Sequence, residues 1–448
     1  MYARPTPAHR LSAVGVSAAA LVVVASVHGV SPSEAGSAER GRAQAGGDAR
    51  PPGALDDELL SSIQGLLAVQ RLDGWLLHDD DGRNPVASEL VSPSGAASAR
   101  WFFYIPAAGE PAAVVHEDDV AAFAGVPGRV VAYRDHDELS DALASALAGA
   151  SRVAMEHDPD RALPSLDRVD AGTIDFVRQL GVELRSSADL VQNTVARWLP
   201  EGRIAHYVAV HHLVALRDDA LRFIGERVRA GDGVTEGEVR TRLERGFERR
   251  GLEGPPPRVA IDAHTADPGY VPDRDAGAPI QRGDLLVIDL AARVAGHERP
   301  IYADMAWTAY VGDEIPDRHR ELFWAVAQAR DAAIDLLRER AEAGQGVRGY
   351  EVDRRARQAA ARAGYEDAWA HRTGHSLGLE RPGPGAYLDD GDARDPRALA
   401  RDSGVAVGPG LYERGVRGAR TQVGVYLEGR SVEITGPLQE QIIPILRP

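Results

Sequence analysis

The chain has 448 residues, enough for two domains with cores of their own. Its 67 acidic residues outnumber 51 basic ones, all of them Arg, and the net charge of −16 argues against nucleic-acid binding, which needs a basic face. No Cys occurs, which excludes disulfides, thiolate metal ligands and cysteine nucleophiles.

Arg4, His9 and Arg10 precede an apolar run, Leu11–Val30, and Ser33-Glu34-Ala35 then supplies small residues at the −3 and −1 positions of a cleavage site. The pattern predicts a signal peptide over residues 1–30, hence a periplasmic or extracellular protein with no membrane attachment after cleavage. An uncleaved anchor is the alternative, since the run approaches the ~20 residues that cross a bilayer; its Ala, Ser and Gly content favours cleavage. Residues 31–54, rich in Gly, Ala, Ser, Pro and Arg, read as a disordered leader.

From residue 55 to 198, strands alternate with helices, the signature of a layered α/β domain. Leu59, Ile63, Leu66 and Leu67 have helical spacing. Strands are predicted at Gly74–His78, Trp101–Ile105, Ala112–His116, Val130–Tyr133, Arg152–Met155 and Val182–Arg185, with helices at Leu139–Leu147 and Ala171–Leu180. His78, His116, His136 and His157 are expected on the surface. Arg197–Gly202 marks the boundary to a second domain, residues 199–448.

That domain opens with a helix from Gly202 to Ala230. Its adjacent His211 and His212 point about 100° apart and cannot readily share a metal. A second helix starts at Thr235, where Thr235-x-x-Glu238 forms a capping box, and ends near Gly251. After Val259–Ile261 comes a predicted hairpin, Leu285–Leu290 and Ile301–Val311, joined by a loop with Gly296 and Pro300. Each strand carries one carboxylate in an apolar run, Asp289 and Asp304. Buried carboxylates on neighbouring strands repel and need a counter-charge, and a metal ion is a common one. Helices at Pro316–Ala343, with a stripe of Leu322, Val326, Ala329, Ala333 and Leu337, and at Tyr350–Ala363 follow. Further strands are expected at Ser403–Val407, Gly410–Tyr412, Thr421–Tyr426 and Ser431–Ile434.

The hairpin carboxylates together with the segment His371-Arg-Thr-Gly-His375-Ser-Leu-Gly resemble the pita-bread metallopeptidases, which include Xaa-Pro aminopeptidase, prolidase and the metal-free creatinase. The resemblance runs from about Leu55 to the C-terminus. It implies an α/β (α+β) fold in which a creatinase-like N-terminal domain precedes a pita-bread domain, and a homodimer. In that family two aspartates, a histidine and two later glutamates bind a pair of divalent metals. Asp289, Asp304 and His375 match the first three positions.

Four site positions depart from the family pattern. The glutamate before the Pro-Gly-Leu-Tyr turn is Gly408, and the last-strand glutamate is Gln422. Two substrate-handling histidines are replaced by Gly269 and Pro382. Two cations ~3.5–4 Å apart need several anionic ligands. Asp289, Asp304 and His375, with Gln422 as a weak neutral donor, make a remnant site suited to one divalent ion (Mn, Zn, Co or Fe) or to none. Glu413, at an odd offset from Gly408, would face away on a strand, and Glu428 lies about 20 Å past Gln422 along an extended chain, so neither substitutes easily, whereas Glu380 could reach the cavity. His371 is the remaining candidate general acid or base, or a residue orienting His375. Arg420 matches a family arginine and would bind a peptide carboxylate or carbonyl, or pair with the aspartates. Three readings follow. The chain is an impaired or inactive homologue holding a peptide or protein ligand in the old cleft, a working mononuclear Xaa-Pro peptidase, or a dimeric scaffold.

Overall fold

The computed structural model describes residues 54–447 apart from 96, 98, 161, 162, 164 and 275. The predicted export segment and leader up to residue 53 lie outside the described residues. Strands β1 (Gly74–Asp79), β2 (Trp101–Pro106), β3 (Ala112–His116), β4 (Arg129–Tyr133), β5 (Arg152–Met155) and β6 (Glu183–Ser186) form one sheet in the order β4-β3-β2-β1-β5-β6. Helices α1 (Asp57–Gln70), α2 (Pro85–Val91), α3 (His136–Ala146), α4 (Ala171–Gln179) and α5 (Ala188–Asn193) accompany it.

Alternation along β1 and β2 sorts their side chains between two cores. Trp75, Leu77, Trp101 and Phe103 pack with Ile63 and Leu67 of α1. Leu76, Phe102 and Tyr104 pack with Leu139 and Leu143 of α3 and Ile174 and Val177 of α4. With both faces covered, His78 on β1 is buried rather than on the surface as its sequence neighbourhood suggested. Its Nδ1 donates to the Trp101 carbonyl at 2.9 Å, and burial lowers its pKa.

The chain continues through α6 (Pro200–Ala230) and α7 (Glu236–Arg249), whose N-terminus carries the predicted Thr235–Glu238 capping box. Next come β7 (Leu252–Glu253), β8 (Arg258–Ile261), the single-turn α8 (Asp262–Thr265), β9 (Leu285–Val294) and β10 (Ala303–Tyr310). β9 and β10 are the expected antiparallel hairpin, flanked by β7 and β8 on β9 and by β17 (Ile443–Pro444) on β10. β9 runs four residues beyond the predicted end at Leu290, because Ala291 and Ala292 keep pairing with Asp304 and Ala303.

Helices α9 (Asp317–Glu342) and α10 (Gly349–Arg362) follow. The predicted α9 stripe, Leu322 to Leu337, lies in one large core with Leu213 and Ile224 of α6 and with Ile288, Leu290, Met305 and Trp307 of the hairpin. A four-stranded sheet, β11 (Gly374–Leu377), β12 (Ser403–Val407), β15 (Val423–Glu428) and β16 (Ser431–Ile434), and the pair β13 (Gly410–Glu413) and β14 (Arg417–Arg420) complete the architecture. The strand expected over Thr421–Tyr426 starts only at Val423. Residues 421 and 422 carry the chain from β14 to β15, and there Gln422 bridges to Ala306 of β10 through two backbone hydrogen bonds.

Candidate active site

The register of the hairpin decides where its carboxylates point. Asp289 lies opposite Ala306 and Asp304 opposite Ala291, so both aspartates share one face. Ile288, Leu290, Met305 and Trp307 occupy the other face and enter the core. The aspartates therefore face the segments that bring in His375 on β11, Gly408 after β12 and Gln422 between β14 and β15. Asp289 is 4% exposed and Asp304 1%.

Both oxygens of Asp304 are engaged. Oδ2 accepts from Arg381 Nε at 2.7 Å and stands 3.1 Å from His375 Nε2. Oδ1 accepts from the Gln422 amide. Burial alone would push this carboxyl up, but the Arg381 guanidinium, followed by His375, outweighs it and holds the group well below the usual carboxylate range. Asp289 is served differently. Arg420 Nη1 lies 2.9 Å from its Oδ2 but off the angle for hydrogen bonding, and Arg258 Nη1 lies 3.6 Å away, so both are ion pairs without a hydrogen bond. Arg420 also donates to the Gln422 carbonyl. Gln422 thus links the two ion pairs, donating a hydrogen bond to Asp304 and accepting one from Arg420. A glutamate there would offer Asp304 no donor.

Gly408 lies under the Gln422 side chain. A Cβ at 408 would fall 2.1 Å from Gln422 Oε1 and 2.4 Å from its Cγ. The four positions that depart from the family pattern, Gly269, Pro382, Gly408 and Gln422, line one cavity of about 700 Å³ with His371 and Arg420. The structure therefore gathers residues that the sequence placed up to about 150 positions apart.

Two candidate roles change. His371 does not orient His375: its Nδ1 donates to the Arg372 carbonyl and its Nε2 accepts from the Tyr412 hydroxyl, each at 2.7 Å. Burial, reinforced by Arg420, pushes its pKa down to about 3, far from that of a base poised for neutral pH. Glu380 does not reach the aspartates; it pairs with Arg168 at 3.4 Å in an adjoining recess that shares Arg381 and Pro382 with the cavity. Glu413 pairs with Arg417 and Glu428 with Arg203, away from the site as expected.

Arg381 and Arg258 are functional neighbours that the sequence reading missed. The available signal was chemical: two buried acids demand cations, and Arg381 adjoins Pro382.

The donor set does not fit the metal pair that the resemblance implies. Among the described residues no group of three or more His, Asp or Glu side chains is gathered to hold an ion. Asp304 has its oxygens taken by donors, Gly408 offers no ligand atom, and the neutral oxygen of Gln422 already accepts from Arg420.

Comparisons agree with this architecture. Residues 209–428 match metallopeptidase family M24. The probable dipeptidase PepE of Mycobacterium tuberculosis is 28% identical over 362 residues, 76% of this chain and 84% of that protein. The putative dipeptidase YkvY of Bacillus subtilis is 26% identical over 198 residues, 44% of this chain but only half of that protein's length. Among solved structures, the dipeptidase PepE from Mycobacterium ulcerans superposes with a TM-score of 0.66 at 22% identity, over 87% of this chain and 97% of that one.

Proposed function

The chain belongs, over residues 209–428, to metallopeptidase family M24 and has its pita-bread fold, and on that premise we propose that it binds peptides in the Xaa-Pro peptidase cleft without hydrolysing them. The family is metal-dependent, and divalent metal there would polarise the scissile carbonyl and activate water. The observation that carries the reading is the state of Asp304, whose two oxygens are held by Arg381, His375 and Gln422.

The cavity remains suited to a short peptide. About 700 Å³ lies within the range of small-ligand sites. Arg420 borders it and brings a guanidinium for a peptide carbonyl or carboxylate. His371, neutral and bonded to Tyr412, contributes a fixed polar wall rather than a proton carrier.

The test pairs two measurements on one preparation. Xaa-Pro dipeptides are incubated with the protein plus Mn, Co or Zn, and their binding is followed by calorimetry. Binding without turnover is expected. Turnover abolished by Asp304→Asn would overturn the proposal in favour of a working hydrolase on Asp289, Asp304 and His375. Export is part of the same proposal, supported by the run Leu11–Val30. Recovery of the full-length product from the cytoplasm alone would remove it.

A further inference from the structure

We infer that Arg381 acts as a built-in counter-cation that keeps divalent metal off Asp304, so that restoring the two missing glutamate ligands would not restore a metal centre while Arg381 remains. The inference rests on the proposed function and deepens it, because it names the residue that sets the cation preference of the site.

Three observations converge on this residue. First, Arg381 Nε stands 2.7 Å from Asp304 Oδ2, the same oxygen that His375 Nε2 faces at 3.1 Å. An ion ligated by Asp304 and His375 together would have to take an oxygen to which a guanidinium already donates. Second, Arg381 comes from the segment directly before Pro382, and that segment is fixed rather than free to swing. Gly383 N donates to the Ser376 carbonyl at 2.8 Å. Arg397, buried and paired with Asp395, donates to the carbonyls of Pro384 and Gly385, each at 2.7 Å. Ala386 N donates to Gln192, which comes from the other half of the chain. Third, Gln422 completes the arrangement: its amide gives Asp304 Oδ1 the donor that the second oxygen needs.

Three guanidinium groups face two carboxylates around this core. Asp304 faces Arg381 and His375, and Asp289 faces Arg420 and Arg258. A divalent cation placed among these guanidinium groups would meet like charge at close range in a partly dry site, where repulsion is weakly screened. Arg420 alone does not block the site in the same way, since it approaches Asp289 off the hydrogen-bonding angle and leaves Asp304 untouched. Arg381 is the cation in contact with the carboxylate that also meets the histidine.

The deciding experiment measures Zn and Mn binding by calorimetry and elemental analysis on full-length protein, with thermal melts to verify folding. Four forms are compared: the unaltered chain, Gly408→Glu/Gln422→Glu, Arg381→Gln, and the triple variant. The triple variant is expected to bind at least one ion per chain, about tenfold or more tighter than the double variant. Equal affinity of double and triple variants overturns the role of Arg381 and leaves the peptide-binding proposal standing. A folded triple variant that takes no ion overturns it too. Tight stoichiometric metal in the unaltered chain overturns both. If the triple variant does not fold, Arg381→Gln alone carries the test: it must gain about tenfold in affinity over the unaltered chain, and no gain sinks the inference.

Discussion

The side chain of Gln422 occupies the space in which a side chain at Gly408 would begin, with Oε1 2.1 Å from the Cβ position. Gln422 cannot simply turn away, because its amide is held between Asp304 and Arg420. The two replaced ligand positions are therefore coupled sterically as well as chemically.

Gly408→Ala should destabilise the protein by about 1–3 kcal/mol, the usual cost of overpacking. Gln422→Ala in the same chain should remove most of that penalty. Urea denaturation of the two single variants and the double variant checks this, and additive effects would show that the contact is relieved some other way.

Removing the shared anion should be costly as well. Asp304→Asn leaves Arg381 and His375 without their carboxylate in a buried place, a loss on the order of 2–4 kcal/mol once the partial exposure of Arg381 is allowed for. A double-mutant cycle with Arg381→Gln should give a coupling of about 1 kcal/mol or more. A coupling near zero would mean that the pair does not form in solution.

Two buried histidines predict acid sensitivity. Burial lowers His206 to about 4 and His371 to about 3, while both would titrate near 6.5 in the unfolded chain. Below pH 6.5 the unfolded state binds protons that the folded state does not, so stability falls, by on the order of 1–2 kcal/mol per histidine at pH 5. Asp304, held low in the folded state, adds its own loss as pH drops below about 4. Melting curves from pH 8 to 4 read this directly. His206→Gln or His371→Gln should flatten the slope between pH 6.5 and 5.

Asp284 predicts the opposite slope. Burial, aided by Asp262 and Glu236, pushes its carboxyl up to about 6. Its stability contribution is present at low pH and lost as pH rises through 6, so at pH 7.5 the ionised group costs about 1 kcal/mol after allowance for its partial exposure. Asp284→Asn should raise the melting temperature more at pH 7.5 than at pH 5, because the penalty builds from the unfolded carboxylate range up to about 6. An equal shift at both values would remove ionisation as the cause.

Local pattern was enough to find the hairpin and its acids, since Asp289 and Asp304 are lone carboxylates in apolar runs. It also located the Thr235 capping box and the apolar stripe of α9, both of which depend on neighbours within a few residues. What it missed involves distant partners. Arg381 meets Asp304 across 77 residues of chain, and no periodicity encodes that meeting. His78 looked like a surface residue because burial on both faces of β1 removes the alternation that would have given it away. The gap between β14 and β15 was invisible because Thr421-Gln422-Val423 reads as continuous strand, and only the bridge to Ala306 shows where the chain changes sheets.

The Arg381–Asp304 pair has a further consequence. A metal cofactor occupies its site in proportion to its free concentration and leaves when a chelator or competing protein removes it. A guanidinium tethered a few bonds from the main chain has no such dependence, because its local concentration is fixed once the chain has folded. Dialysis cannot deplete it, and scarcity in the surroundings cannot empty it. On the proposal that Arg381 stands in for a metal, the cleft is insulated from the supply of trace elements around it, and its shape should be the same in a metal-starved medium as in a rich one.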